Sequence, residues 1–294
     1  MISRSVKTSL FILVLLFQGL FTPACFADDV LVIADGRLAP AHNIISGIRK
    51  SLHASIRVFS PAEARDSLGR LVEKEKPRVV VALGREALNE ALRLPPTIPV
   101  IYDMVVVPPQ IARPNTTGFY MAVPVSEYAE LLRNYLYPLK KIAVVGRREQ
   151  LNVLASDTSQ KTTNSVVGNA FELVEAVRQV KDADAILLLP DAELLSAVAM
   201  EEVFLISFRR KVPLLGISEK QVKDGALLAL VVDTEEVGRR IGEYAGKAMR
   251  GVNMGLYPPS PPKRFELFLN RDTAKKMGIH LSGEMLRMAK RAYP

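Results

Sequence analysis

The segment VVVALGRE occupies residues 79–86 and consists of five apolar residues followed by Gly-Arg-Glu. The same pattern recurs in VLVIADGR (30–37), PVIYD (99–103), IAVVGRR (142–148) and ILLLPDAE (186–193). An apolar run without alternation is typical of a strand buried on both faces, in a parallel sheet covered by helices. Polar residues that follow such strands lie at the carboxyl edge of the sheet, where open α/β sheets bind ligands. We therefore expect an α/β protein whose function resides at its strand ends.

Composition describes a globular chain of one large domain or two ordinary ones. The chain has 294 residues, 49% hydrophobic and 24% charged. Its net charge is +8, but Lys and Arg alternate with acidic residues, whereas a nucleic-acid surface would cluster them. The sequence contains no GxGxxG after the first strand, no P-loop and no GxSxG, and its three His residues lack metal-ligand spacing. We expect no enzyme activity, no cofactor and no nucleic-acid partner.

The amino terminus predicts export. Arg4 and Lys7 precede an apolar stretch over residues 10–21, and Ala27 provides a small residue for cleavage before Asp28. A membrane anchor is disfavoured because the stretch is short for a bilayer span and Gln-Gly interrupts it. We assign residues 1–27 as a cleaved signal peptide and place the protein in the periplasm. Lipid anchoring at Cys25 is the less favoured alternative, because the preceding residues lack the Leu of a lipoprotein signal.

Between the strands, the pattern predicts helices and several loops. Ser60 and Glu63 form a capping box, and Pro61 stands at the first helical position, so a helix is predicted to begin here. Residues 115–118 are expected to lead out of the first sheet, and a second set of strands begins at residue 142. LNVLA (151–155) follows so closely that it forms either a hairpin or a short helix.

Three expectations concern the second half of the chain. The polar segment 160–169 is expected to be a loop, residues 192–209 to be a helix, and the chain to end in a basic amphipathic helix.

Several segments in this order and spacing resemble one family. They are VVVALGREAL (79–88), IPVIYD (98–103), LLLPDAELLSAV (187–198), VPLLGISEKQVKDGALLAL (212–230) and VVDTEEVGRRIGEYAGKAMRG (231–251). The chain resembles the periplasmic substrate-binding proteins of ABC transporters, in the branch of tryptophan and tyrosine type. The resemblance implies a type I periplasmic binding protein, with two Rossmann-like lobes of parallel sheets joined by a three-segment hinge that closes on ligand.

On this family pattern, residues 28–118 plus 234–260 form lobe 1, and residues 119–232 plus 263–294 form lobe 2. The implied function is capture of a small solute between the lobes and its delivery to an ABC permease. The alternative is a periplasmic sensor or protein-docking module of the same fold, without transport. We expect a monomer whose ligand is anionic or amino-acid-like.

Candidate ligand contacts are the polar and glycine residues at the predicted strand ends and the first crossover. They are Asp35, Arg37, Gly84, Arg85, Tyr102, Asp103, Tyr120, Arg147, Asp191, Ser218 and Glu219. Most have a structural alternative: an ion pair between Asp35 and Arg37, a salt bridge from Arg85 to Glu86 or to a neighbouring loop, a solvated turn for Arg147, helix capping for Asp191 and Ser218, and packing for the two tyrosines. The family usually places Ser or Thr after the glycine, so Arg85 suggests an anionic ligand or one unlike the usual amino acids.

Overall fold

The computed structural model describes residues 29–156 and 162–294, in which two α/β lobes are joined by three crossing segments. The predicted signal peptide, residues 1–27, lies outside the described residues. No helix within the described ranges combines the length and apolarity needed to cross a bilayer. The chain therefore presents two sheets, each with its own helices.

The first lobe is built on a five-stranded, fully parallel sheet in the order β2-β1-β3-β4-β5. All residues of its three central strands are buried, which explains their unbroken apolar sequence. The strands are β1 (Val30–Ala34), β2 (Ile56–Phe59), β3 (Val79–Leu83), β4 (Val100–Asp103) and β5 (Thr116–Gly118). The helices between them are α1 (Ala39–Ser51), α2 (Pro61–Glu75) and α3 (Arg85–Ala91).

The second lobe is built on a seven-stranded sheet in the order β12-β11-β10-β9-β8-β6-β7. All its pairings are parallel except that of β10 with β11. Its strands are β6 (Ile142–Gly146), β7 (Thr162–Val166), β8 (Ala185–Leu188), β9 (Leu214–Gly216), β10 (Leu228–Val232), β11 (Phe265–Asn270) and β12 (Arg291–Tyr293). Its helices are α4 (Val125–Tyr135), α5 (Arg148–Leu154), α6 (Ala170–Gln179), α7 (Ala197–Arg210), α8 (Glu219–Asp224), α10 (Arg271–Met277) and α11 (Gly283–Met288).

Four local expectations are corrected by the structure. Residues 116–118 do not leave the first sheet but pair with β4. The segment 162–166 is an edge strand, whose polar residues are tolerated because it is largely exposed. The helix expected from residue 192 begins at Ala197, since Ser196 is its cap. The chain ends in β12 after the short helix α11. Of the two forms considered for LNVLA, the structure has the short helix.

Helix α9 (Thr234–Met249) begins directly after β10 of the second lobe and packs on α1 of the first. Glycines allow an unusually close approach. A Cβ at Gly238 would lie 2.1 Å from the Ile44 carbonyl oxygen, and one at Gly47 would lie 2.1 Å from the Glu235 carbonyl oxygen. Ser51 Oγ also donates a hydrogen bond to the Arg239 carbonyl. Because of this packing, α9 belongs to the first lobe, although the elements that precede it in the chain belong to the second.

The crossing segments fix which sheet edges face each other. The first, residues 119–124, leaves the carboxyl end of β5, and the second, Asp233, leaves the carboxyl end of β10; the third comprises residues 257–264. The third runs beside the first, because Tyr120 N–H donates to the Ser260 carbonyl and Ser260 N–H donates to the Gly118 carbonyl. It then enters β11, which pairs with the end of β10. The carboxyl edges of both parallel sheets therefore point towards the junction between the lobes.

Candidate functional site

The candidate site is the cleft between the carboxyl edges of the two sheets. Loops after β1, β3 and β4 lie at this edge of the first sheet, and loops after β6, β8 and β9 lie at this edge of the second. Parallel α/β sheets bind ligands at such edges because loop side chains and free backbone groups converge there.

Asp35 and Arg37 lie on the loop after β1 and pair with each other. Arg37 Nε and Nη2 donate to the two Asp35 carboxylate oxygens at 2.9 and 2.8 Å. These bonds, with one from the Arg37 backbone N–H, lower the pKa of Asp35 to about 2. The Arg37 side chain is 89% exposed. The pair therefore forms a solvated bidentate ion pair at the rim of the first lobe.

Gly84 and Arg85 form the turn from β3, the central strand, into α3. Gly84 has a φ of 101°, which a side chain would strain, and its N–H donates to the Asp103 carbonyl at 2.8 Å. This bond fixes the ends of β3 and β4 together. The Arg85 side chain is exposed and has no hydrogen bond or ion pair with any residue that the structure describes. The expected alternative of a bridge to Glu86 does not form, because Glu86 faces Arg65 at 3.8 Å.

Tyr102 and Asp103 end β4, and the structure buries both. The Tyr102 ring covers Gly118, where a Cβ would lie 2.4 Å from the ring, and burial raises the pKa of Tyr102 to about 12. Asp103 is 0% exposed, and neither carboxylate oxygen has a hydrogen bond of normal geometry. Burial raises the pKa of Asp103 to about 7, against the smaller lowering effects of the Met104 N–H and the Arg240 charge. Neither side chain lines an open cleft in this arrangement.

Tyr120 lies in the first crossing segment and is nearly buried, and burial raises its pKa. Beside it lies Arg240 of α9, which was not among the expected contacts. Arg240 Nη1 and Nη2 donate at 3.2 Å to the Pro261 carbonyl and to Ser260 Oγ, and its guanidinium lies over the Phe119 ring at 4.5 Å. Arg240 thus contacts two crossing segments at once. No sequence signal marks it, because Arg on an amphipathic helix normally faces solvent.

On the second lobe, the structure brings Arg147 and Asp191 together. Arg147 Nε donates to the Asp191 carboxylate at 2.6 Å, and its Nη2 donates to Glu193 at 2.7 Å. Burial alone would raise the pKa of Asp191. The Arg147 bond and the backbone N–H groups of Leu194 and Glu193 instead hold the pKa of Asp191 below its usual value. Asp191 thus caps a turn, rather than the helix expected at residue 192, while it also orients Arg147.

Gln150 completes this cluster and was missed from the sequence. Its side-chain oxygen accepts the Arg147 N–H at 2.9 Å, and its amide donates to the Pro190 carbonyl at 2.7 Å. Gln150 therefore joins the loops after β6 and β8. The signal was present, since Gln three residues after the start of a helical turn is a capping pattern.

Ser218 and Glu219 follow β9, and both side chains bind to other residues of the second lobe. Ser218 Oγ accepts the Gln221 N–H and caps α8, which was its structural alternative. The Glu219 carboxylate accepts hydrogen bonds from Tyr293 and Arg291 of the edge strand β12 and pairs with Lys223. The structure therefore does not bring Glu219 together with the Arg147 cluster.

The three arginines of the predicted site thus differ in their partners. Arg37 is neutralised by Asp35, and Arg147 by Asp191 and Glu193. Arg85 has no acidic partner among the described residues. The first lobe therefore has one guanidinium, that of Arg85, without an acidic partner. The second lobe has a hydrogen-bonded cluster in which two carboxylates surround one guanidinium, that of Arg147.

Comparison with known proteins identifies the family. The family described as ABC transporter substrate binding protein matches residues 60–293. A tyrosine-binding protein of Clostridioides difficile is 23% identical over 234 residues, covering 74% of this chain and 68% of that protein.

Solved structures agree on the fold. The ligand-free, open structure of a substrate-binding protein with adhesive properties from Clostridium difficile gives a TM-score of 0.66 at 17% identity, covering 90% of this chain and 99% of that one. An ABC domain in complex with L-Trp from Streptococcus pneumonia gives 0.60 at 17% identity, covering 90% and 98%. A family match over residues 60–293, well beyond half of the chain, shows that this protein belongs to the ABC transporter substrate-binding protein family.

Proposed function

We propose that this protein is a periplasmic solute-binding protein that captures a small ligand between its lobes and delivers it to an ABC permease. The observation that carries the proposal is the facing pair of carboxyl sheet edges across a three-segment junction. We further propose lobe boundaries of 28–118 plus 234–260 and 119–232 plus 263–294. Closure on ligand then requires contacts from both lobes, because only differential affinity can shift the open–closed equilibrium.

The proposed ligand is an amino acid or a close analogue with an anionic group. The similarity to a protein named for tyrosine binding supports the class. Arg85 supports the anionic group, since its guanidinium has no acidic partner among the described residues and follows the central strand of its sheet. Arginine binds carboxylates bidentately, which fixes orientation as well as charge. The acidic excess of the Arg147 cluster suits a cationic group such as an ammonium.

A thermal-shift screen of the common amino acids, followed by calorimetric titration, tests this proposal. A ligand that binds only the folded state raises the melting temperature with concentration. We expect at least one amino acid to bind with a stoichiometry of one per chain. Arg85→Gln should weaken binding by about ten- to a hundredfold, the value of a charged hydrogen bond.

Arg37→Gln is the matched control, because Arg37 is also a cleft-edge arginine but its charge is already paired. It should change the affinity by less than about twofold. Equal losses for the two variants would remove the argument for Arg85. If no amino acid or amino-acid analogue shifts the melting temperature, the proposed ligand class is wrong.

Delivery to a permease requires a protein-contact surface near the cleft, and exposed apolar residues occur there on the second lobe. Phe171 and Val198 are 76% and 80% exposed and lie in the first turns of α6 and α7. Exposed Val166 ends β7 at the same edge of the sheet. Exposed large apolar residues at one edge of a sheet favour a contact with another protein. They suit a permease and equally suit the receptor of the alternative sensor function.

Cellular uptake of the ligand found in the screen separates the two functions. For the transport function, Phe171→Glu with Val198→Glu should abolish uptake while leaving affinity in solution unchanged. Tyr137→Glu is the control, because Tyr137 is 70% exposed but precedes β6 at the opposite edge of the lobe. Uptake that does not depend on this protein at all would favour the sensor.

A further inference from the structure

The carboxylate of Asp103 is buried, so in the described arrangement it cannot contact a ligand and its presence needs another explanation. It is 0% exposed, lacks hydrogen bonds of normal geometry and ends β4, and the carbonyl of Val105, two residues later, accepts the N–H of Met121 in the first crossing segment. Met104, the next residue, has a φ of 58°, a left-handed conformation uncommon for a residue with a side chain. A buried carboxylate without a partner is unfavourable, so the fold is expected to provide a cation in some state of the protein.

Arg240 is the charged side chain whose field lowers the pKa of this carboxyl, although the two groups form no ion pair in the described arrangement. Of the neighbouring titratable groups, Arg240 on α9 contributes the favourable charge, while Tyr102 on β4 itself is neutral at ordinary pH. In the present arrangement, Arg240 donates instead to Ser260 and Pro261 of the third crossing segment. Its guanidinium also lies over Phe119 of the first. A guanidinium has five N–H donors, so these contacts leave donors for a carboxylate.

Helix α9 itself continues from the second crossing segment, which ends at its Asp233 cap. Arg240 therefore contacts the first and third crossing segments directly and is joined to the second through its own helix. A hinge motion that shifts residues 119 and 260 necessarily changes what Arg240 can reach.

We propose that Asp103 and Arg240, both in the first lobe, form a hinge couple: lobe closure shifts the crossing segments that now hold the guanidinium, which then turns onto the buried carboxylate and thereby stabilises the closed state. Both are positioning residues and neither needs to touch the ligand. The inference rests on the proposed hinge closure but not on the identity of the ligand. Because only an ionised Asp103 can form the pair, closure should become more favourable as pH rises through about 7, the pKa of Asp103 in the described arrangement.

Distance measurement between spin labels tests the couple without any ligand. Labels at Asp66→Cys on α2 and Arg209→Cys on α7, in a Cys25→Ser background, report the separation of the lobes, because both sites are exposed on different lobes. From about pH 6 to about pH 8.5, the ratio of closed to open molecules should rise by about fivefold, the lower range of coupling between sites. Asp103→Asn should abolish this pH dependence.

Glu90→Gln is the matched control, since Glu90 is another buried acid of the first lobe that pairs with Arg93 away from the junction. It should retain the pH dependence of the unmodified protein. Arg240→Lys keeps the charge but loses the planar fork, so it should reduce the effect; combined with Asp103→Asn it should add nothing further.

Affinity for tyrosine, used as the probe, separates the two proposals. Failure of tyrosine to bind would count against the ligand class and leave the distance measurement valid. Closed-to-open ratios that change by less than about twofold with pH, or that change equally in Asp103→Asn, would overturn the hinge couple.

Discussion

Replacement of Gly238 by Ala is the perturbation whose effect the structure defines most closely. The added Cβ would lie 2.1 Å from the Ile44 carbonyl oxygen and 2.9 Å from the Ile44 Cα. These are backbone atoms of α1, so no side-chain rotation can relieve the clash, and α1 and α9 must move apart. Overpacking of a core typically destabilises by about 1–3 kcal/mol, and the lost helix contact adds to it. Ala in a helix recovers about 1 kcal/mol of propensity relative to Gly.

We therefore expect Gly238→Ala to reduce the free energy of unfolding by about 2 kcal/mol, or to lower the melting temperature by about 4–8 °C. Gly69→Ala is the control, because Gly69 lies in helix α2 and nothing is within 4 Å of its missing Cβ. This substitution should stabilise by about 0.5–1 kcal/mol. Urea unfolding monitored by circular dichroism gives both values. A Gly238→Ala protein as stable as the Gly69→Ala protein would refute the packing of α9 on α1.

Three further predictions concern stability. Between about pH 4 and pH 7, folded Asp103 retains a proton that the unfolded chain has lost. Asp103 therefore makes the free energy of unfolding fall with rising pH, by up to about 4 kcal/mol. Urea unfolding across this range measures the decline, which should be absent in Asp103→Asn. Tyr128→Phe should destabilise the fold by about 1–3 kcal/mol, because the buried Tyr128 hydroxyl donates its one proton to the Gly216 carbonyl at 2.9 Å, with the Leu230 carbonyl as a longer second acceptor at 3.3 Å. Thermal unfolding checks this value. Arg147→Gln should disorder the turn after β8, seen as faster amide exchange at Glu193 and Leu194, whereas unchanged exchange would show that Asp191 does not need Arg147.

The sequence predicted the buried part of the fold well, because strands buried on both faces leave an unmistakable apolar run. VVVAL and VLVIA became β3 and β1 in the centre of the first sheet. The polar edge strand β7 was missed for the same reason, since TTNSV contains no such run and owes its pairing to β6. The glycine contact of α9 with α1 was also missed, although Gly238, Gly242 and Gly246 recur at helical spacing.

Site residues were harder to predict because sequence position fixes a strand end but not the environment of the side chain. Asp103 ends β4 as expected, yet its side chain is fully buried and does not face solvent. Glu219 begins a helix at the cleft edge, yet it binds Tyr293 and Arg291, which are more than seventy residues later in the chain. Arg147 and Asp191 meet because β6 and β8 are neighbours, a pairing that strand order alone reveals. Tertiary neighbours, rather than local pattern, decide these roles.

The central claim is that a small ligand is held between the lobes, which close around it. Small-angle X-ray scattering, with and without a saturating amount of the amino acid identified by the thermal-shift screen, tests this claim most directly. We expect the ligand to reduce the radius of gyration, and an amino acid without a thermal shift to leave it unchanged. Tight one-to-one binding with an unchanged radius of gyration would contradict it.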